Sequence, residues 1–347
     1  MSRFPQALPT ARTPDAAAAP ALRWGVLGTG WIAERFVRSL QRNTRQQITA
    51  IGSRDAERSA AFAARLGVPR SHGSYAGLVA DSSIDVVYIA TPHNTHLPAA
   101  RLALEAGKHV LVEKPLALNA GQATEIAQLA AGRRLFCMEA LWTFFLPKFD
   151  IVRQILDSGA LGEIHTVLAD HGEHFTADHR IMRLDLAGGP LLDLGTYPVS
   201  FATWVLGAPT RILAAGQPHP NGVNGQASAV LLDAHGNQAQ VHTTLFSNTP
   251  TTATVAGTSA TLTLPGPFYQ PGDLVLSSAA GDRRLAYTEP RTAHDALYFE
   301  AAEVARCIGA DLLESPIRPM ADSVETLRVM DEIRGQLGIV FPGESLR

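Results

Sequence analysis

The segment Val112-Glu113-Lys114-Pro115 ends an apolar run in a lysine. A lysine at the tip of a buried strand can hold or hand over a proton, and burial with a neighbouring cation would lower its pKa toward neutrality. Alone, the tripeptide is an ordinary strand-end turn. A second motif gives it a partner. Gly28-x-Gly30-x-x-Ala33 follows a short apolar stretch and opens a helical pattern. Gly28 suits a tight turn, Gly30 a close approach of backbone to pyrophosphate, and Ala33 close helix–strand packing. Thr29, Trp31 and Ile32 complete a loop whose helix N-terminus offers N–H groups and a positive dipole end to phosphates. About 20 residues past such a loop a carboxylate would mark NAD by binding the ribose hydroxyl. Here the strand tip reads Gly52-Ser53-Arg54. The Ser53 hydroxyl and Arg54 guanidinium suit a 2′-phosphate, so NADP is expected ahead of NAD. The competing reading leaves Arg54 in solvent and gives the ribose to Asp55. A further loop, Thr91-Pro92-His93-Asn94-Thr95-His96, follows the next apolar strand. Thr91, Pro92, His93, His96 and Glu113 join the cofactor candidates, with His93 toward the cleft and His96 in a structural place at a helix start. The two histidines find no third ligand by spacing, so no metal is expected.

These residues need a scaffold that brings strand tips together. Apolar periodicity predicts strands at Trp24–Leu27, Ile48–Gly52, Ile84–Ala90, His109–Val112 and Leu135–Met138. Helices are predicted between them, to about Gln41, over Asp55–Leu66, Thr95–Ala106 and Asn119–Ala131. Strict alternation predicts an α/β Rossmann domain, a doubly wound parallel sheet, over residues 21–145. After Pro147 the rhythm changes. A helix (Lys148–Leu156), a strand (Ile164–Asp170) and a helix after Gly189 precede six strands in series. These are Arg211–Ala215, Ala227–Asp233, Gln238–Leu245, Thr251–Ala256, Ala260–Leu264 and Asp273–Ser277. With helices near His294–Ile308 and Ala321–Leu337, they predict an α+β domain over 146–347, built on a large open, mostly antiparallel sheet. Residues 1–20, rich in Ala and Pro, read as a disordered tail or an arm on a neighbouring subunit.

The 347 residues are 46% hydrophobic and 18% charged, with net charge −3. That suits folded domains and excludes a disordered chain. No basic block points to nucleic acid. No apolar run has the length of a signal-peptide core or a membrane span. Cys137 and Cys307 read as core thiols of a reducing, cytoplasmic compartment.

Three segments together resemble the Gfo/Idh/MocA oxidoreductases: Gly28-Thr29-Gly30-Trp31-Ile32-Ala33, Val112-Glu113-Lys114-Pro115, and Gly188-Gly189-Pro190-Leu191-Leu192-Asp193-Leu194-Gly195-Thr196-Tyr197. Met138 to Thr143 and the stretch from Glu314-Ser315-Pro316 to Phe341-Pro342 are similar to the branch holding dimeric dihydrodiol dehydrogenases and NADP-dependent D-xylose dehydrogenases. The resemblance implies that Lys114 is the catalytic lysine, Tyr197 the proton donor or acceptor, and Asp193 an acid at the substrate. It implies a Tyr197 phenol made more acidic by Lys114, and subunit contact through the second domain's sheet, hence a homodimer or higher homo-oligomer. Without the resemblance, Tyr197 is a core tyrosine of an amphipathic helix.

Two departures bear on the substrate. Where relatives often read Trp-Thr-Arg-Phe, this chain has Trp142-Thr143-Phe144-Phe145. Asp170-His171-Gly172-Glu173-His174-Phe175 is richer in charge and imidazole than the usual Phe-Gly pattern. Trp142, Phe175, Arg180, Asp193, Tyr197, Phe268 and Tyr269 are the expected pocket lining. The expected activity is hydride transfer between NADP and a sugar, polyol or vicinal diol. The competing readings are a carbonyl or imine reductase on the same scaffold and an NAD(P)-binding regulator without turnover, since a nucleotide-binding domain alone establishes only binding.

Overall fold

A computed structural model of the chain describes residues 4–342 and 344. They form two compact units, each assembled from separated stretches of chain. The first comprises residues 14–145 and 292–324. Its strands are β1 (Arg23–Leu27), β2 (Gln47–Gly52), β3 (Arg70–His72), β4 (Val86–Ile89), β5 (His109–Glu113) and β6 (Cys137–Ala140). All are parallel, in the order β3-β2-β1-β4-β5-β6. This is the dinucleotide-binding order, with its switch point between β1 and β4. Helices α1 (Trp31–Asn43), α2 (Ala56–Leu66), α3 (Tyr75–Val79), α4 (His96–Glu105) and α5 (Ala120–Arg133) connect the strands. The sheet core is made by Trp24, Val26, Val86, Val87, Tyr88, Val110, Leu111 and Val112, all fully buried. β3 and α3 escaped the apolar pattern, because β3 is a polar edge strand of three residues.

The second unit comprises, of the described residues, 4–13, 146–291, 325–342 and 344. After α6 (Pro147–Asp157) come β7 (Ile164–Gly172), α7 (Pro190–Asp193) and α8 (Thr196–Leu206). The strands β8 (Arg211–Pro218), β9 (Asn224–Leu232), β10 (Gln238–Thr244), β11 (Ala253–Gly257), β12 (Ala260–Leu264), β13 (Leu274–Ser278) and β14 (Arg284–Tyr287) follow. The sheet order is β14-β13-β12-β11-β7-β10-β9-β8. Only β7 and β10 pair in parallel. One face carries α8 over β7 and β10. On the other, Leu168 and Leu213 are exposed and lie in one row across four strands with Gln240 and Val230 between them.

The chain ends with α9 (Tyr298–Gly309) in the first unit and α10 (Met320–Leu337), whose residues from Glu325 count with the second. The two units part between Phe145 and Leu146. The return of residues 292–324 to the nucleotide-binding unit was not foreseen. Residues 4–20 differ from both readings of a disordered tail and a neighbour-bound arm, because they lie on this chain. Within the second unit the Arg12 guanidinium meets Asp150 at 2.9 Å, and Gln154 donates to the Thr10 carbonyl. Within the first, Ala16 and Ala19 are buried against Ala302 and Ala305 of α9, and Arg45 donates to the Ala17 carbonyl. Small side chains let this segment pack closely, which composition alone reads as low order.

Candidate active site

In the nucleotide-binding unit the glycine-rich turn behaves as its spacing requires. Gly28 has φ +114°, and a Cβ there would run into the Ala90 carbonyl oxygen. Gly30 caps α1 with an extended backbone, and a Cβ on it would meet nothing within 4 Å, so the helix N-terminus opens onto clear space. Ala33 is fully buried beneath it. Thr29 and Ile32 are half-buried and Trp31 is exposed. At the tip of β2, Ser53 is buried and Arg54 exposed. Asp55 is already used: its carboxylate caps α2, accepting from the Arg58 N–H at 3.0 Å. Burial raises the Tyr75 pKa, and the charges of Arg54 and Arg58 pull it the other way, so both guanidinium groups act on the surroundings of this one ring. The Thr91 hydroxyl, at the end of β4, is buried and unpartnered. The open helix terminus, the glycine cradle and this orphan hydroxyl fit a dinucleotide.

His96 is fully buried with one ring nitrogen on the Pro115 carbonyl at 2.8 Å and the other on the Thr91 carbonyl at 2.9 Å. It ties two strand-end loops together and has no nitrogen left for a cofactor. His93 is buried edge-on to it, beside Pro92. Glu113 is likewise committed, taking the Tyr88 hydroxyl and, at 3.1 Å, the Lys114 N–H. Beyond it the half-buried Lys114 leaves the carboxyl end of β5. Trp142 lies in this same unit, stacked on His294 with ring centres 5.2 Å apart; His294 also meets Trp31 edge-on at 4.7 Å. Phe144, where relatives often carry Arg, is buried beneath the Arg318 guanidinium at 4.9 Å.

In the second unit Asp193 ends α7 and Tyr197 occupies the first turn of α8, one helical turn later. Arg180 donates to Asp193 at 2.8 Å, a charge-assisted bond that fixes the orientation of the carboxyl group. The Tyr197 ring stacks on Tyr269 at 4.1 Å, and Tyr269 stacks on His171 at 4.8 Å. Burial pushes the Tyr269 phenol up to about 12, with the Glu173 and Asp193 charges adding to it. A phenol so raised stays protonated and is a poor base near neutrality.

The structure thus gathers Arg180, Asp193, Tyr197 and Tyr269. Phe175 stands slightly apart, stacked on His179 at 4.4 Å over the cluster of Ile181, Met182, Leu194, Val223 and Leu245. Phe268 is fully buried behind them, edge-on to Phe201 at 5.6 Å and to Tyr269 at 6.1 Å. Two residues were not singled out from sequence. Arg58 follows Arg54 by one helical turn, a signal that was readable. His171 joins the tyrosines only through the fold of β7 against α8. Among the described residues no group of His, Cys, Asp and Glu could hold a metal, and no helix is long and apolar enough to cross a membrane.

A parallel sheet with a phosphate-ready turn, and strand tips carrying a lysine, define a nucleotide-dependent oxidoreductase of the Rossmann type. The chain belongs to the GFO/IDH/MocA family. Residues 22–141 match its model for the oxidoreductase family with NAD-binding Rossmann fold, and residues 149–263 match the GFO/IDH/MocA C-terminal domain. It is 34% identical to trans-1,2-dihydrobenzene-1,2-diol dehydrogenase of Mus musculus over 333 residues, covering 93% of this chain and 98% of that enzyme. The Homo sapiens enzyme is also 34% identical, over 332 residues. Among solved structures, the 3-ketoreductase KijD10 from Actinomadura kijaniata, in complex with NADP and TDP-benzene, superposes with TM-score 0.81 at 28% identity, over 91% of this chain and 97% of that one. A levoglucosan dehydrogenase complexed with NADH and L-sorbose shares the fold, with TM-score 0.81 at 20% identity. The protein is an NAD(P)-dependent dehydrogenase or reductase.

Proposed function

We propose that the enzyme uses NADP and moves a hydride between the nicotinamide and a carbon bearing a hydroxyl in a sugar, polyol or vicinal diol. The observation that carries this is the constellation around Tyr197: a phenol on the first turn of α8, Asp193 one turn ahead, and Arg180 holding that acid. It stands in a chain whose other unit ends β5 in Lys114. When bound, the dinucleotide supplies the hydride acceptor. The chain supplies the rest. Tyr197 takes the hydroxyl proton, Asp193 accepts a hydrogen bond from the substrate and orients it, and Lys114 brings a positive charge to the strand tips of the nucleotide-binding unit. The relatives named for dihydrodiol oxidation support the alcohol-oxidising direction, and the ketoreductase supports the reverse on the same scaffold. NADP is favoured by Arg54 and Arg58 together and by Asp55 being spent as a helix cap. A cytoplasmic location and a homodimer through the face carrying Leu168 and Leu213 belong to the same reading. They are supported by the free buried Cys137 and Cys307 and by the exposed Leu168 and Leu213; the dimer predicts a solution mass above 37.0 kDa.

The test is NADPH fluorescence titration followed by turnover on aldoses and diols at pH about 9, where a phenolate base is favoured. Lys114→Ala and Tyr197→Phe are each expected to cut kcat by about 100-fold or more with NADPH affinity nearly unchanged. Full rates in both variants would contradict the roles assigned. Tight NADPH binding without turnover on any panel member would make the protein a regulator instead.

A further inference from the structure

His171 closes β7 and is buried, its ring stacked on Tyr269 and 5.7 Å from the centre of the Tyr197 ring. Neither of its nitrogens finds a hydrogen-bond partner among the described residues. Nδ1 is sealed and unpartnered. Nε2 lies 3.9 Å from an oxygen of Glu173, too far for a direct bond. Glu173 is half-exposed on the loop that leaves β7. A neutral imidazole carries one N–H and one lone pair, and with nothing to receive a proton at Nδ1 the N–H belongs on Nε2. A donor and a carboxylate acceptor are thus held apart by a gap that one oxygen atom can bridge, next to the phenol assigned to the chemistry. A hydroxyl is the group that answers both, since it accepts through a lone pair and donates through its hydrogen. A C–H at that place would leave both unanswered. Nε2 and the half-exposed Glu173 carboxylate both lack a hydrogen-bond partner among the described residues, and a ligand hydroxyl between them beside the substrate site would complete both.

We propose that His171 and Glu173 form a hydroxyl-binding subsite, in which a second hydroxyl of the substrate accepts from His171 Nε2–H and donates to the Glu173 carboxylate. The substrate class is therefore one with at least two hydroxyls close together, a polyol or aldose, and a monohydroxy alcohol is rejected. The Asp193–Arg180 pair serves the reacting end and the His171–Glu173 pair its neighbour. This rests on the reading that Tyr197 handles the substrate proton.

The test compares kcat/KM for matched pairs that differ by one hydroxyl: D-glucose with its 2-deoxy and 3-deoxy analogues, and trans-cyclohexane-1,2-diol with cyclohexanol. The wild-type enzyme is expected to prefer the fuller member of at least one pair by 30-fold or more. Glu173→Ala, whose side chain stands partly in solvent, and His171→Phe, which keeps the ring stack, should each bring that preference within about threefold. His171→Asn, which retains an N–H donor, should restore part of it. A wild-type enzyme that treats both members alike, or a preference unchanged in Glu173→Ala and His171→Phe, overturns the subsite while leaving the dehydrogenase reading intact. Absence of turnover on every compound by the wild type overturns the dehydrogenase reading, and the subsite with it.

Discussion

Arg54 and Arg58 show how one residue can be singled out while a readable neighbour is passed over. Arg54 stood out because the tip of β2 carries no acid where an NAD enzyme would have one. Arg58, four residues on, was not singled out. The fold gives it meaning, for both guanidinium groups bear on Tyr75. A planar guanidinium binds phosphate through two parallel hydrogen bonds, and two such groups outweigh one ribose hydroxyl contact. Arg54→Ala and Arg58→Ala should each weaken NADP binding by about 10-fold or more, some 1.4 kcal/mol or above, and leave NAD binding within about twofold. Parallel titrations of both nucleotides check this, and an equal loss for the two would show that the arginines do not read the 2′-phosphate. The pocket aromatics were legible by type only. Tyr269 and Phe268 are adjacent in sequence, yet one stacks on Tyr197 and the other faces Phe201. Which of two neighbouring rings turns to the core is decided by the packing of α8 on its sheet, which no local pattern records.

At the scale of elements, the strands β1, β2, β4 and β5 were readable because strands covered on both faces are nearly all apolar. β6 was displaced by two residues for an instructive reason. The apolar run stops before Glu139, but the strand continues through it. Glu139 is buried because its carboxylate is fully used, by the Leu116 N–H at 3.0 Å, the Ser323 hydroxyl at 2.6 Å and the Arg318 guanidinium at 3.3 Å. Glu300 on α9 has no such partners. Both its oxygens are buried without a hydrogen bond, and burial first, then the Glu113 and Glu139 charges, raises its pKa well above the ordinary carboxyl range. The folded state therefore keeps a proton there that the unfolded chain has released. Stability contributed by that proton is complete below the ordinary carboxyl pKa and declines as pH rises above it, by at most about 1.4 kcal/mol per pH unit. Glu300→Gln removes the titrating group. Urea unfolding between pH 5 and 8 should show the variant gaining on the wild type as pH rises. Parallel curves would mean that Glu300 is charged in the folded protein.

Across the whole molecule, alternating α and β elements give way to strands in series after Pro147, and the two compact units part between Phe145 and Leu146. The sequence did not reveal that residues 292–324 rejoin the nucleotide-binding unit, since periodicity reports which face of a helix is buried and not against what. The same limit hid the packing of Ala16 and Ala19 on α9. The glycine turn, Lys114 and the Asp193–Tyr197 spacing are short-range patterns of the kind a sequence can carry, and assembly is not. Together they make one claim, that this chain oxidises a carbinol carbon by passing its hydride to NADP while Tyr197 takes the proton. The most direct measurement uses an aldose or diol deuterated at the oxidised carbon, with the NADPH formed examined by mass spectrometry. The account predicts one deuterium on the nicotinamide ring and its loss of formation with Tyr197→Phe. NADPH formed without deuterium, or formed as fast by the Phe variant, would contradict it.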